Sequence, residues 1–401
     1  MKGQKVTLII SLILVFVSVF ALASNPNSIT ADIINYTTSY SAVEKETEVL
    51  IYNDRAYVPL REISENIGRD VEWVGDSSMI VINDKDSGRD MGNANESYLG
   101  KVYQYYAWIF YTEDGSLYKV KTDGSQNIKI FEQGHTHFEI RDIHVIDGWV
   151  YFILYNYEES VIYKSDLNGN IVSTLVKMVQ VEDNRQIRQL VMRKDFYIYL
   201  YHDSAYGRDF VYYVNLQTNE QKELLNVYTS DCWRGFSNEF LYYQDYRLSE
   251  NGGNVSQLKR LNITSGETEV IFDNFVPNRQ TIFRGEKIYY IGYSTTIGGR
   301  ERPIIEYDIS KKTEREIIFL ENNTFNIDPN GEWLYFISNQ GEYAGKLCKT
   351  SLDHNETFEV LGNVAIPYVT ETHVVAVKNG EIWLIDKDGN TTKVPPASQN
   401  N

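Results

Sequence analysis

The sequence predicts a mainly β protein, in which a small ββαββ domain precedes a β-propeller of about seven four-stranded blades. A short run of aromatic and β-branched residues recurs along the chain, and successive copies are 42, 47, 44, 47, 46 and 40 residues apart. A period in the forties built from such runs is typical of propeller blades. Six blades remain an alternative, because the first and last copies are the least regular. The anchors of the copies are Ile109, Tyr151, Ile198, Tyr242, Tyr289, Tyr335 and Val375.

The second copy shows the strand pattern most clearly. Residues 143–146, 149–155, 161–165 and 171–176 are rich in β-branched and aromatic side chains, and turn-forming residues separate them. Residues 149–154 are apolar on both faces, which suits a strand buried between two neighbouring blades. The 31 tyrosines fit the same arrangement, because a large ring can pack between blades while its hydroxyl group reaches a polar edge.

A smaller unit precedes the propeller. Two predicted hairpins, at 48–58 and 71–82, flank a short helix that begins with Pro59 and ends at Gly68. The polar residues that follow the second hairpin have the composition of a linker. The predicted organisation is a signal peptide (1–23), an N-terminal linker (24–45), the ββαββ domain (46–84), a second linker (85–97) and the propeller (98–396).

The first 23 residues have the pattern of a secretory signal peptide. Lys2 and Lys5 form a basic start, residues 6–20 form an apolar run, and small residues at 21–23 offer a cleavage site. The pattern predicts a protein that is secreted or held in the cell envelope, on its extracellular face. An uncleaved N-terminal anchor is the alternative, and it is the only membrane contact that we expect.

The composition argues against some classes of partner. The formal net charge is −17, and the chain has no long basic cluster, so we predict no nucleic-acid binding. The two cysteines, Cys232 and Cys348, lie in non-adjacent copies, which makes a disulfide between them geometrically unfavourable. So few cysteines in an exported chain favour a bacterial surface protein over an animal ectodomain.

Two stretches resemble known families. The segment YVPLREI at 57–63, followed by Gly68 and by VEW at 71–73, is similar to the copper amine oxidase N-terminal-like, or stalk, domain of Firmicute surface proteins. That resemblance covers about a tenth of the chain and implies no copper binding, because these stalk domains only share the shape of an oxidase appendage. AWIFY at 107–111 and LYKVKTDGS at 117–125 resemble bacterial propellers of unknown function.

The second family is distantly similar to the YWTD propellers of low-density lipoprotein receptors. The chain departs from the YWTD signature, since VYFI at 150–153 and LYFI at 334–337 lack the Thr-Asp pair. The ligands of those receptors are therefore not carried over. The resemblance implies an architecture and a bacterial surface setting, and it leaves the function open.

We find no catalytic constellation in the sequence. His135 and His137 form an H-x-H pair of the kind that binds copper or zinc, and His144 follows, but two polar residues in a turn between blades are the favoured interpretation. Loops such as 166–170 lack the glycine and the bidentate glutamate of a calcium loop, so we interpret them as hairpin turns. The sequence therefore predicts no enzyme, no metal and no cofactor.

The connections between the second and third strands of the copies vary in length, which marks a variable rim of the propeller. The longest are predicted in copies three to five, at 202–209, 244–256 and 293–303. They carry tyrosine and arginine, the residue types that dominate interface energetics. Solvated loops with incidental charges are the alternative. The candidate ligand-binding residues are Tyr206, Arg208, Tyr246, Arg247, Tyr293, Arg300 and Arg302.

The function predicted from these features is that of a non-catalytic binding scaffold, held near the cell wall by its stalk domain. The expected partner is an extracellular protein, a peptide or a cell-wall glycan. Two alternatives stay open at this stage. One is a propeller enzyme that acts on polysaccharide, as a lyase or a hydrolase, and the other is an ectodomain with a structural role only.

Overall fold

The structure is a computed structural model, and the chain in it divides into two compact units, Met1–Arg89 and Asp90–Asn401. The described residues are 32–40, 43–52, 55–57, 69–74, 79–84, 100–132, 138–170, 172–228, 233–248, 254–273, 280–292, 302–320, 324–338, 344–352, 357–362, 368–378 and 380–399.

The first unit contains two antiparallel sheets among its described residues. Their strands are β1 (Asp32–Tyr40), β2 (Val43–Tyr52) and β3 (Arg55–Tyr57) in one sheet, and β4 (Arg69–Val74) and β5 (Met79–Asp84) in the other. The pairings β2–β3 and β4–β5 confirm the two predicted hairpins. The prediction of a linker at 24–45 did not anticipate β1, which pairs with β2 along its whole length. The predicted helix and signal peptide lie outside the described residues.

The described part of the second unit forms a propeller of seven four-stranded blades. Blade 1 contains β6 (Val102–Tyr105), β7 (Trp108–Glu113), β8 (Ser116–Lys121) and β9 (Ile128–Glu132); blade 2 contains β10 (Glu139–Ile146), β11 (Trp149–Tyr155), β12 (Glu159–Asp166) and β13 (Val172–Val179); and blade 3 contains β14 (Arg185–Met192), β15 (Phe196–Asp203), β16 (Arg208–Asn215) and β17 (Gln221–Val227). A short helix, α1 (Gln180–Asp183), joins blades 2 and 3.

The remaining blades have the same plan. Blade 4 contains β18 (Trp233–Ser237), β19 (Phe240–Leu248), β20 (Asn254–Asn262) and β21 (Thr268–Phe272); blade 5 contains β22 (Ile282–Arg284), β23 (Lys287–Ile291), β24 (Arg302–Asp308) and β25 (Thr313–Leu320); blade 6 contains β26 (Phe325–Ile327), β27 (Trp333–Ser338), β28 (Lys346–Ser351) and β29 (Thr357–Gly362); and blade 7 contains β30 (Tyr368–Val369), β31 (His373–Lys378), β32 (Glu381–Asp386) and β33 (Thr391–Lys393). A last strand, β34 (Ser398–Gln399), joins the sheet of blade 1.

The first strand of each blade is innermost and the fourth is outermost. First strands of neighbouring blades approach one another, as in the pairs β6–β10, β10–β14 and β18–β22. Fourth strands such as β17 and β33 are largely exposed, whereas β10 is buried along most of its length. This arrangement places the first strands around the axis and leaves one sheet edge per blade facing solvent.

Strand periodicity explains how each blade is buried on both faces. In β15, Tyr197, Tyr199 and Tyr201 pack with blade 2 in one apolar cluster. The intervening Ile198 and Leu200 pack with blade 4 in another. Because successive side chains of a strand point to opposite faces, a run that is apolar at every position buries both faces of its sheet. The prediction that such runs lie between blades is confirmed.

The seventh blade packs directly on the first, which decides the blade count. Val102 and Ile109 of blade 1 share an apolar cluster with Val375 and Leu384 of blade 7. The side-chain oxygen of Gln104 accepts hydrogen bonds from the backbone N–H and the hydroxyl of Thr372, at 3.1 and 3.0 Å. The ring therefore closes with seven blades, and the six-blade alternative is wrong.

The connections between second and third strands are shorter than we predicted in copies three and four. Asp203 pairs with Arg208 at the ends of β15 and β16, so only four residues, 204–207, connect these strands. Strand β19 extends to Leu248, which pairs with Asn254. The additional residues extend the paired strands, since β15 and β16 have eight residues each and β19 and β20 have nine each. Most of the third predicted connection, residues 293–301, lies outside the described residues.

Candidate binding rim

Four tyrosine side chains are exposed at one end of three consecutive blades. Tyr157, Tyr206, Tyr228 and Tyr246 have exposed fractions of 84, 70, 68 and 47%. Tyr157 and Tyr206 lie between the second and third strands of blades 2 and 3. Tyr228 follows the fourth strand of blade 3, and Tyr246 lies near the end of β19. Antiparallel strands bring these positions to the same end of the sheets. We call this group the tyrosine rim.

The turn that carries Tyr157 is held by its own polar groups. The Asn156 side-chain oxygen accepts hydrogen bonds from the backbone N–H groups of Glu158 and Glu159, at 2.9 and 2.6 Å. The backbone N–H of Asn156 donates to the carbonyl of Glu159 at 3.0 Å. An Asx turn of this kind fixes the backbone locally. The Tyr157 ring is therefore presented to solvent from an ordered hairpin tip.

The turn that carries Tyr206 has a similar design. Asp203 is buried, and its Oδ1 accepts hydrogen bonds from the backbone N–H groups of Ala205 and Tyr206, at 3.1 and 3.4 Å. Its Oδ2 accepts a hydrogen bond from Arg185 Nε at 3.2 Å. The buried carboxylate thus joins the turn to the first strand of its own blade. Little conformational entropy remains to be lost when a ligand packs on such a ring.

The segment that includes α1 connects these two turns. The backbone N–H of Gln180 donates to the carbonyl of Glu158 at 2.6 Å, and the backbone N–H of Ser204 donates to the carbonyl of Asn184 at 2.8 Å. The Gln180 side chain also donates to Ser204 Oγ at 3.2 Å. Hydrogen bonds therefore link the Tyr157 turn to the Tyr206 turn across the seam between blades 2 and 3.

Tyr228 is paired with an arginine. The guanidinium carbon of Arg208 lies 3.5 Å from the centroid of the Tyr228 ring, and Arg208 Nη1 donates to Asn226 Oδ1 at 2.8 Å. A stacked and hydrogen-bonded guanidinium is held in one orientation, and the contact is a cation–π interaction. One face of the ring is covered by Arg208.

Tyr246 completes the rim on blade 4. Its backbone N–H donates to Asp245 Oδ1 at 2.8 Å, and its hydroxyl accepts a hydrogen bond from Gln244 Nε2 at 2.9 Å. The Gln244 amide also donates to Ser256 Oγ on the adjacent strand at 2.7 Å. These contacts tie the tyrosine to the hairpin of β19 and β20.

The sequence-predicted site residues are only partly united by the fold. Tyr206, Arg208 and Tyr246 belong to the rim of blades 3 and 4. Arg302 is exposed at the start of β24 in blade 5, and Arg247 lies in β19. Tyr293 and Arg300 lie outside the described residues. The sequence analysis did not include Tyr157 and Tyr228 among the candidate binding residues. Their position among polar turn residues could have indicated that they are exposed.

The described residues contain no group of three or more His, Cys, Asp or Glu side chains placed to hold a metal ion. His135 and His137 lie outside the described residues. His144 is fully buried between blades 2 and 3, where its Nε2 donates to the carbonyl of Leu190 at 3.1 Å. Burial, with Arg193 nearby, lowers the pKa of His144 to about 3, so this imidazole is neutral at physiological pH.

Comparison with known proteins supports the two-part organisation. Residues 27–90 match the family model of the copper amine oxidase N-terminal domain. The match includes both hairpins of the first unit and begins upstream of β1. No curated protein matches the chain in sequence. No helix among the described residues has the length and apolar character needed to span a bilayer.

Solved structures are similar to the chain in fold. A puromycin-hydrolyzing peptidase of Mycobacterium tuberculosis has a TM-score of 0.50 at 10% identity, over 77% of this chain and 54% of the peptidase. An oligogalacturonate lyase in complex with manganese has a TM-score of 0.49 at 8% identity, over 79% of this chain and 94% of the lyase. TolB from Acinetobacter baumannii has a TM-score of 0.41 at 13% identity, over 85% of this chain and 81% of TolB. At such identities the likeness concerns the fold alone.

Proposed function

We propose that this protein is a non-catalytic extracellular binding scaffold, in which the propeller recognises a ligand through the tyrosine rim. The observation that carries the proposal is that four exposed tyrosines share one rim of three adjacent blades. Isolated exposed apolar residues are ordinary, whereas clustered aromatic side chains on ordered turns favour recognition. Tyrosine suits this role because its ring offers a large contact area and its hydroxyl remains hydrated.

We further propose that the protein works at the cell envelope, outside the membrane, with residues 46–84 as a stalk. Three features support this setting. The pattern of residues 1–23 is that of an export signal, and the copper amine oxidase N-terminal domain match covers residues 27–90. The sequence resemblance to bacterial surface propellers points to the same setting. The expected partner is an envelope protein, a peptide or a cell-wall glycan.

The test compares two matched variants of the mature chain. The rim variant combines Tyr157→Ser, Tyr206→Ser and Tyr228→Ser, and the control combines Val172→Ser and Val270→Ser, which are exposed on fourth strands. Cosedimentation with insoluble cell-wall material from the producing organism measures retention. We expect the rim variant to lose at least tenfold in retention with an unchanged melting temperature, and the control to be retained normally.

Two outcomes would contradict the proposal. Equal retention of the rim variant and the wild type would show that the rim does not bind the envelope. Release of soluble reducing sugars or unsaturated products by the wild type, but not by a heat-denatured sample, would show that the propeller is an enzyme.

A further inference from the structure

Arg141 has two buried side-chain nitrogen atoms without a hydrogen-bond partner in the described part of the chain. It is the third residue of β10 and is 9% exposed. Its guanidinium carbon lies 3.8 Å from the centroid of the Tyr155 ring. Its Nε and Nη2 atoms are buried, and neither has a hydrogen-bond partner among the residues that the structure describes. Tyr155 thus contacts one face of the guanidinium. The edge of the guanidinium formed by Nε and Nη2 has no acceptor within the described ranges.

The chemistry of that edge is specific. The Nε–H and Nη2–H bonds of an arginine point in the same direction, and together they form the fork that binds a carboxylate through two parallel hydrogen bonds. A buried cation without such an acceptor costs stability, because its hydration is lost and nothing replaces it. An arrangement that costs stability and retains recognition geometry favours a role in binding.

The two carboxylates closest to Arg141 along β10, Asp142 and Glu139, have other partners. Asp142 Oδ2 accepts a hydrogen bond from the backbone N–H of Leu190 in blade 3, at 2.9 Å. Glu139 Oε1 lies 2.6 Å from Lys101 Nζ of blade 1. Asp142 also has a φ of +52°, and the β10–β11 register shifts between Arg141 and His144. Bulges and left-handed backbone of this kind re-aim side chains next to functional sites.

Arg141 is connected to Tyr157 of the tyrosine rim through the ring of Tyr155. The ring of Tyr155 is 6.5 Å from the ring of Tyr157, centroid to centroid, in an edge-to-face arrangement. Gln186 of blade 3 donates to the carbonyl of Asn156 at 3.3 Å across the same seam. A row of contacts between one cation and two aromatic rings therefore connects buried Arg141 with the exposed hairpin tip.

We propose that Arg141 is a carboxylate-binding subsite of the tyrosine rim, and that it takes an acidic sugar residue of the uronate type. The inference rests on the binding role proposed for the rim. In a uronate the carboxylate is attached directly to the ring, so a single residue can pack on Tyr157 and reach the guanidinium. A carboxylate of an aspartate or glutamate side chain has no such ring beside it. Because both nitrogens of the fork are buried, binding requires the side chains that cover them to shift.

The experiment measures binding of three probes to the mature chain by calorimetry. The probes are a uronate oligosaccharide, the same oligosaccharide with its carboxyl groups reduced to alcohols, and an oligoglutamate peptide. We expect the wild type to bind the uronate at least tenfold more tightly than the reduced form. Arg141→Met removes this discrimination, and Arg141→Lys restores part of it, because an ammonium group keeps the charge and loses the fork.

Stability measurements separate a binding role from a structural one. We expect Arg141→Met to melt at the same temperature as the wild type or higher, because methionine fills the site without an unpaired charge. The matched control is Arg315→Met, since Arg315 donates to the Leu352 carbonyl at 2.8 Å and to Glu306 at 3.0 Å. The control should melt lower and bind the uronate normally.

Several results would overturn the inference. A lower melting temperature of Arg141→Met with unchanged uronate affinity would make Arg141 a structural residue. Equal affinity for the reduced oligosaccharide, or no binding by the wild type, would exclude the subsite. Stronger binding of oligoglutamate would exclude the sugar acid. If the rim variant loses envelope retention while Arg141→Met keeps it, the rim function stands and the subsite alone fails.

Discussion

Gly169 shows how a single backbone position sets the distance between two blades. It lies in the turn between the third and fourth strands of blade 2, with a φ of +78°, and a β-carbon there would collide with the carbonyl oxygen of Ile130 in blade 1. Gly266 occupies the corresponding turn of blade 4 with a φ of +76°, and a β-carbon there would meet nothing within 4 Å. The two glycines share a backbone conformation and differ in their neighbours.

This pair allows a prediction with an internal control. Gly266→Ala should lower the free energy of unfolding by about 1 kcal/mol, the usual cost of a left-handed backbone for alanine. Gly169→Ala should lower it by about 1–3 kcal/mol more, because the strand of the adjacent blade must also move. Urea denaturation of both variants measures the difference. Equal losses would show that the contact with Ile130 relaxes without cost.

His144 predicts a pH dependence of stability. Its pKa is about 3 in the folded protein, and the ordinary value of 6.5 applies to the unfolded chain. Between these values the unfolded chain binds a proton that the folded protein excludes. The contribution of His144 to the free energy of unfolding is therefore complete above pH 6.5, and it is lost as the pH falls towards 3. From pH 7 to pH 5 the wild type should lose about 2 kcal/mol through this group.

The variant His144→Gln tests that contribution. Its amide can still donate to the Leu190 carbonyl, and it does not titrate. Comparing urea unfolding of both proteins at pH 7 and pH 5 cancels the effects of the other acidic groups. A parallel loss of stability in the two proteins would mean that His144 is protonated without penalty in the fold.

At the scale of single elements, the C-terminal strand adds to the first blade and not to the last. Every blade takes its four strands from one continuous segment, and β34 then adds to blade 1 in parallel to β9. Asn127 connects the two. Its Nδ2 donates to the carbonyl of Pro395 at 2.8 Å, its carbonyl accepts from the backbone N–H of Ser398 at 2.8 Å, and its Oδ1 accepts from the hydroxyl of Tyr111 at 2.9 Å.

Removal of residues 395–401 should therefore weaken the ring without opening it. We expect a loss of about 1–2 kcal/mol in the free energy of unfolding, because a few hydrogen bonds disappear while the apolar contact between blades 1 and 7 remains. Asn127→Ala should cost more, about 2–3 kcal/mol, since it leaves the buried Tyr111 hydroxyl without its acceptor. In the truncated chain the cost of Asn127→Ala should fall, and a double-mutant cycle measures that coupling. Strictly additive losses would contradict the role given to Asn127.

At the scale of the whole molecule, stability depends on a closed ring of apolar seams. Clusters of buried side chains join successive blades, for example blades 5 and 6 through Tyr289 and Phe336, and blades 6 and 7 through Tyr335 and Val374. Each internal seam buries one face of two sheets, so removing a terminal blade exposes two faces at once. The ring therefore differs from an open repeat array, in which the loss of an end repeat exposes only one buried face.

Deletion of residues 365–401 should consequently cause aggregation or loss of cooperative unfolding, and not a modest fall in melting temperature. The control is the fragment 90–401, which keeps all seven blades and lacks the first unit. We expect this control to be soluble and to unfold in one transition, as followed by calorimetry and size-exclusion chromatography. A soluble, normally melting protein without residues 365–401 would show that blade 7 is dispensable for the ring.

The sequence by itself determined the propeller, its blade repeat and the two N-terminal hairpins. These features follow from local patterns, since alternation along a strand and turn residues such as Asp166 and Gly169 act within a few positions. The tertiary structure alone decided that the additional residues at 202–209 lengthen a hairpin, and that β34 adds to blade 1. It also decided which tyrosines are exposed, and that Nε and Nη2 of Arg141 are buried without a hydrogen-bond partner among the described residues. Exposure and pairing depend on neighbours tens of residues away, as in the contact of Asp142 with Leu190, and periodicity carries no information on such distant packing.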